Sequence, residues 1–371
     1  MTSKQTGVAE AIAGAILTID LAALRENYRI LKNRLGGVAC AGVVKADGYG
    51  LGVDAVANAL ANEGCDSFFV AQLSEALVLR NALKGHAAIH VLNGLAPGSE
   101  IHAAEAEITP VLNCLEQIAD WARLAQKLGR RLPAVLQVDS GMSRMGLAPS
   151  EVDQLAAEPA RLAALDIRLV MSHLACADEP GNDANDLQRA SFDHLRTLLP
   201  NVKASLANSS GVFLGSEFHY DLARPGAALY GINPTPSTRN PMRPVVRLEA
   251  KVVQTREIGD GVGIGYGYAS RARATMRLAT ISLGYADGWH RRAMGSAYFN
   301  GNRLPFAGRV SMDSIILDIT SLAPGALKPG DLVELIGPNQ TIDEVAAHAG
   351  TIGYEILTGL GPRFHRRYIG G

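Results

Sequence analysis

The chain has 371 residues, 47% of them hydrophobic and 19% charged, enough apolar material for a large core and too much for a disordered chain. Its 35 Lys and Arg against 36 Asp and Glu leave a net charge of −1, which gives no electrostatic pull toward nucleic acid or an anionic membrane. The N-terminal stretch MTSKQTGVAEAIAGAIL lacks the apolar core of an export signal. The scattered cysteines Cys40, Cys65, Cys114 and Cys176 form no CxxC pair. A cytoplasmic protein with reduced thiols is therefore expected.

A helix over LAALRENYRILKNRLG comes first, with Asp20 as N-cap and Gly36 as C-cap. Short apolar runs then alternate with helical patterns. The predicted strands are CAGVVKA (40–46), SFFVAQ (67–72), AIHVLN (88–93), ITPVL (108–112), AVLQVD (134–139), RLVMSHL (168–174), ASLANS (204–209) and YDLARPG (220–226). VDAVANALANEG, LSEALVLRNALKG, LEQIADWARLAQKLG and ANDLQRASFDHLRTLLP read as helices between them. Strands separated by helices pair in parallel through right-handed crossovers, and near-continuous apolar runs suit strands buried on both faces. The fold class expected is α/β: a (β/α)8 TIM barrel over 12–242, with a doubly wound sheet as the alternative. From 243 to 371, strands joined by short Gly- and Pro-rich turns predict a mainly β C-terminal domain, with residues 1–11 as a candidate addition to it.

A barrel carries its chemistry at the C-terminal ends of its strands. There this sequence puts Lys45, Arg144, His173, Ser209, Ser210 and Arg224, a rim suited to an anionic cofactor. Lys45 interrupts an apolar run. A desolvated lysine loses its proton easily and suits covalent attachment of a carbonyl compound, although a strand-end lysine can also simply snorkel to solvent. One histidine and no paired carboxylates at the strand ends argue against a metal-dependent hydrolase, and no metal is expected. GVGIGYG superficially resembles a dinucleotide loop but has no helix after it.

VVKADGYGLG (43–52) resembles the cofactor-lysine motif of the alanine racemases, a fold-type III family that uses pyridoxal 5'-phosphate (PLP). The similarity continues in order through VDSGMSRMG, MSHLA, ANSSG and RPGAALYG, then GYGYAS, ISLGYADG, GRVSMD and TIGYE. The resemblance implies racemisation of alanine by two bases, Lys45 and Tyr266, with D-alanine feeding peptidoglycan or being degraded. Lys45 would carry the cofactor, and Arg224, its plane held by a hydrogen bond that it donates to His173, would face its ring nitrogen. Tyr49, Ser209, Gly226, Ala227 and Tyr354 would surround its phosphate. Arg144 would contact its phenolic oxygen and, with Met312, the substrate. Tyr285, Arg309 and Ile352 would shape the entrance.

The resemblance also implies a homodimer in which Tyr266 and Met312 act on the Lys45 site of the other copy. The chain departs from the family at Gln137, where many members have a carbamylated lysine. A direct hydrogen bond between Arg144, as donor, and Gln137 is expected there, with a small anion beside it. That departure leaves open a broader racemase acting also on serine. The other readings are a decarboxylase of the same fold and a non-enzymatic PLP-binding barrel, which would lack the second domain.

Overall fold

The structure is a computed structural model that describes residues 10–83 and 87–371. The readings made on residues 1–9, including most of the stretch read for an export signal, and on the end of the helix at Lys84–Gly85 lie outside them. The chain divides into two compact units. One spans Leu24–Arg243; the other joins the described residues up to Ala23 with Pro244–Gly371.

The first unit is a parallel barrel. The first barrel strand is split into β2 (Ala39–Cys40) and β3 (Gly42–Val43). Next come β4 (Ser67–Val70), β5 (Ala88–Val91), β6 (Thr109–Leu112), β7 (Leu132–Gln137), β8 (Leu165–Met171) and β9 (Lys203–Ser205). From β3 to β9 they form one seven-stranded parallel sheet in sequence order. The last strand, β10 (Leu222–Ala223), pairs in parallel with β2. Its other side is reached by Asp221 N–H to Ala204 C=O (3.0 Å) and Arg224 N–H to Ala207 C=O (2.9 Å), so backbone hydrogen bonds bring the curled sheet round to its first strand.

Helices cover the outside at Val53–Asn62, Leu73–Ala82, Leu115–Lys127 and Ala184–Thr197, among others. Neighbouring residues of β4, Phe68 and Phe69, are both fully buried, one toward the helices and one toward the barrel interior, as a two-faced strand requires. Trp121 fills the layer under β7 and donates its indole N–H to the Pro133 carbonyl at 3.1 Å.

β9 and β10 are much shorter than the runs 204–209 and 220–226. Pro225 has no N–H to donate and restricts Arg224 before it, and Asn208 and Ser209 turn away into a 3-10 segment at Gly211–Phe213. Asp20 does cap the first helix, with its Oδ1 accepting from Ala22 and Ala23 N–H at 2.9 Å.

The second unit is mainly β. Its spine is β11 (Val246–Ile258), which pairs antiparallel with β1 (Ala15–Asp20), with Met276–Ile281 and with Leu332–Ile336. The sequence division had put Ala15–Asp20 with the barrel. It lies instead between β11 and the parallel strand His365–Ile369, with Ile16, Leu17 and Ile19 almost completely buried.

Candidate active site

Lys45 lies two residues beyond the end of β3, after Val44. The backbone then takes a left-handed turn, with φ of 52° at Ala46, 55° at Asp47, 62° at Gly48 and 55° at Tyr49. For residues other than glycine this conformation costs about 1–2 kcal/mol each. The turn is held by side-chain oxygens: Ala46 N–H donates to Glu75 Oε1 at 2.7 Å, and Val53 N–H to Asp47 Oδ1 at 2.8 Å. Such over-determined strain is characteristic of functional turns. Lys45 is half-buried. Burial lowers its pKa, the Arg144 charge lowers it further, and Glu75 opposes both.

Tyr49, at the end of the turn, stacks on Tyr230 with ring centroids 4.5 Å apart, and Tyr230 donates its hydroxyl to the Val43 carbonyl at 3.1 Å. Ser209 Oγ accepts from Gly226 N–H (2.9 Å) and Ala228 N–H (3.2 Å). A Cβ at Gly226 would sit 2.3 Å from the Tyr49 hydroxyl oxygen. The glycine is therefore required for close approach, and Tyr49, Ser209 and Gly226 converge on one small polar cradle. The Ala227 backbone begins the short 3-10 turn beside it.

Arg224 is 4% exposed. Its guanidinium donates to Ser205 Oγ and, at 2.6 Å, to the Ser172 carbonyl. Its Cζ lies 6.0 Å from the centre of the Phe69 ring, and Phe69 in turn stacks on His90 at 4.5 Å. Ser172 Oγ bonds Ser140 Oγ at 2.7 Å and the Val138 carbonyl at 2.8 Å. Burial lowers the Arg224 pKa to about 9, so it remains a cation at neutral pH.

The expected hydrogen bond between Arg224 and His173 is not formed among the described residues. The physical reason is that the guanidinium donates instead to the Ser205 hydroxyl and the Ser172 carbonyl. Burial, Arg224, Arg144 and Lys45 push the His173 pKa down to about 3, leaving a neutral imidazole among three cations. The direct bond from Gln137 to Arg144 is also absent among the described residues: Gln137 is buried at the end of β7, whereas Arg144 is exposed on the following loop.

Ser172, Ser205 and Glu75 escaped the sequence reading. Two small hydroxyls in apolar strands were the only signal for the serines. Glu75 looks like any first-turn helix acid.

The remaining predicted residues belong to the second unit, and each is exposed at its surface. Tyr266 is 70% exposed and Met312 52%. Tyr266 lies in a turn packed close to Arg309: a Cβ at Gly267 would be 3.6 Å from an Arg309 guanidinium nitrogen. Tyr285 and Met312 are neighbours, since Tyr285 N–H donates to the Ser311 carbonyl (3.1 Å) and Ala286 N–H to the Met312 carbonyl (2.9 Å). Ile352 and Tyr354 are exposed at the start of the helix Gly353–Gly359. Arg309 also lines a cavity with His290, Arg291, Arg292 and Met294.

Fold and site together define a parallel barrel built around a half-buried lysine of lowered pKa and joined to a β-rich unit. The family models for the alanine racemase N-terminal domain and C-terminal domain match residues 19–234 and 245–368, and the chain belongs to the alanine racemase family. It is 63% identical over 364 residues to the catabolic alanine racemase of Mesorhizobium japonicum, covering 98% of this chain and 96% of that one. It is 52% identical to the catabolic alanine racemase of Agrobacterium fabrum, over 96% of this chain and 92% of that one. The crystal structure of alanine racemase from Bartonella henselae with covalently bound pyridoxal phosphate superposes with a TM-score of 0.93 at 44% identity, covering 96% of this chain and all of that one.

Proposed function

We propose that this chain interconverts L- and D-alanine with PLP held covalently on Lys45. The observation that carries the reading is the half-buried Lys45 with its lowered pKa, fixed at the barrel rim by a strained turn in a chain of this family. The polar cradle fits the cofactor. Gly226, with no side chain, lets the Tyr49 hydroxyl approach its backbone closely, and Ser209 Oγ bonds the same backbone.

Tyr49, Ser209 and the backbone N–H groups of Gly226 and Ala227 would hold the phosphate, with Tyr354 beside them. Arg224 would face the ring nitrogen, and Arg144 the phenolic oxygen. When bound, the cofactor supplies an electron sink for the substrate's α-carbon. A permanent cation at Arg224, held by neutral oxygens, would disfavour a second positive charge on its neighbour and so moderate that sink. His173 is kept neutral and adds no further positive charge there.

Lys45 Nζ would move the α-proton on one face, since burial eases its deprotonation. The Tyr266 hydroxyl of a second copy would do so on the other face; its 70% exposure supports this use. A tyrosine with an ordinary pKa of about 10 needs nearby positive charge to act as a base, and Arg309 packs close to its loop. Met312 N–H of the same copy would hold the substrate carboxylate. Tyr285, Arg309 and Ile352 would narrow the entrance.

Two relatives named as catabolic enzymes support a role in alanine degradation over supply of D-alanine to peptidoglycan. The four free thiols suit a reducing compartment such as the cytoplasm, and among the described residues no helix is long and apolar enough to cross a membrane. Gln137 favours a second reading, racemisation of other small amino acids such as serine. Chiral analysis of product from L-alanine and L-serine separates the two. Strong preference for alanine supports the first, equal turnover the second, and no racemisation of either refutes both.

A further inference from the structure

Glu75 is the third residue of the helix Leu73–Ala82, in its first turn, and it uses both carboxylate oxygens. Oε2 accepts from Ala71 N–H (2.7 Å) and Gln72 N–H (3.0 Å), which closes the helix onto the end of β4. Oε1 accepts from Ala46 N–H at 2.7 Å, the residue that follows Lys45. The far end of the left-handed turn is closed from within, by Asp47 Oδ1 on Val53 N–H. Its near end, next to Lys45, is held by a side chain from another element.

We propose that Glu75 is a positioning residue: its carboxylate clamps the left-handed turn onto the end of β4 and so fixes where Lys45 presents its amine to the cofactor. The inference rests on the reading of Lys45 as the PLP lysine. It assigns to Glu75 a role distinct from capping a helix, and the two roles use different oxygens. That makes them separable. In Glu75→Gln one end of the side chain still accepts and the other only donates. The amide oxygen can serve two donors at the helix but only one at the turn, so the amide turns its oxygen to the helix. Its NH2 group then faces Ala46 N–H, donor against donor. The substitution spares the cap and breaks the clamp. Glu75→Asp keeps the charge but is one methylene shorter and cannot span both sites. Ala46→Gly removes the cost of a left-handed alanine and so lessens the need for the clamp.

The test is reconstitution of the full-length apoprotein with PLP, following the absorbance of the lysine-bound cofactor, together with apoprotein thermal unfolding and the split between kcat and KM. Glu75→Gln is expected to weaken PLP attachment about fivefold with the apoprotein midpoint unchanged. Glu75→Asp should weaken it comparably, and Ala46→Gly added to Glu75→Gln should recover part of the loss. Wild-type attachment in Glu75→Gln, or a lowered midpoint as its sole effect, overturns the proposal. Should Glu75→Gln fail to fold, Glu75→Asp decides alone, and wild-type attachment there overturns it. Failure of the wild-type chain to attach PLP removes the reading of Lys45, and this inference with it.

Discussion

Ser205 Oγ accepts a hydrogen bond from the Arg224 guanidinium deep inside the barrel and donates its own hydroxyl hydrogen bond to the Leu222 carbonyl. A buried cation is thus held by a hydroxyl and a backbone carbonyl. Removing that hydroxyl leaves a charged donor unsatisfied where water has little access. Ser205→Ala should destabilise the apoprotein by about 1–3 kcal/mol, read from denaturant unfolding. A shift below about 0.5 kcal/mol would mean that the guanidinium finds another acceptor at no cost.

The two depressed histidines set a pH dependence of stability. His173 is pushed to about 3 and His90 to about 4, mainly by burial and then by neighbouring arginines, from an ordinary value of 6.5. Below pH 6.5 the unfolded chain takes up protons that the folded chain refuses. Stability from these groups is therefore complete above pH 6.5 and lost as pH falls toward 4, and His173 continues the loss toward 3. His90 contributes up to about 3 kcal/mol of that slope. His90→Gln should flatten the apoprotein's stability profile between pH 6.5 and 4; an unchanged profile would show that His90 is protonated in the fold.

Tyr266→Phe removes one hydroxyl from an exposed turn and should leave folding and PLP attachment intact. If Tyr266 is the second acid/base, alanine racemisation falls by about 10²–10⁴-fold. A fall of less than tenfold assigns the second face to another group.

Gly226→Ala introduces a methyl 2.3 Å from the Tyr49 hydroxyl oxygen, and the tyrosine is stacked on Tyr230 and cannot swing freely. PLP affinity should drop about tenfold or more, a cost of about 1.4 kcal/mol, as measured by cofactor titration. Unaltered affinity would remove Gly226 from the cradle.

Much of this was legible in the sequence because it depends on pattern. The barrel strands are apolar runs between helices, and Lys45, Arg224 and Ser209 stand at strand ends where polarity interrupts apolar sequence. Ala15–Asp20 was read with the barrel because a single amphipathic strand does not say which sheet it joins; pairing with Val246–Ile258 decides that. The partners of Arg224 were misjudged for a related reason. Hydrogen bonds at a barrel rim depend on side-chain directions from strands far apart in sequence, and the crowding of cations that keeps His173 neutral exists only in the fold. The left-handed turn is half visible: glycine at 48 announces it, but the positive φ of Ala46, Asp47 and Tyr49 goes with hydrogen bonds to Glu75 and Asp47 side chains that the local sequence does not reveal.

The central claim is that PLP bonds to Lys45. The most direct measurement is borohydride reduction of the PLP-loaded chain, followed by proteolysis and mass mapping of the modified peptide. The account expects a single pyridoxyl phosphate on Lys45, absent from Lys45→Ala along with racemase activity. A label on another lysine, or none on an active chain, would contradict it.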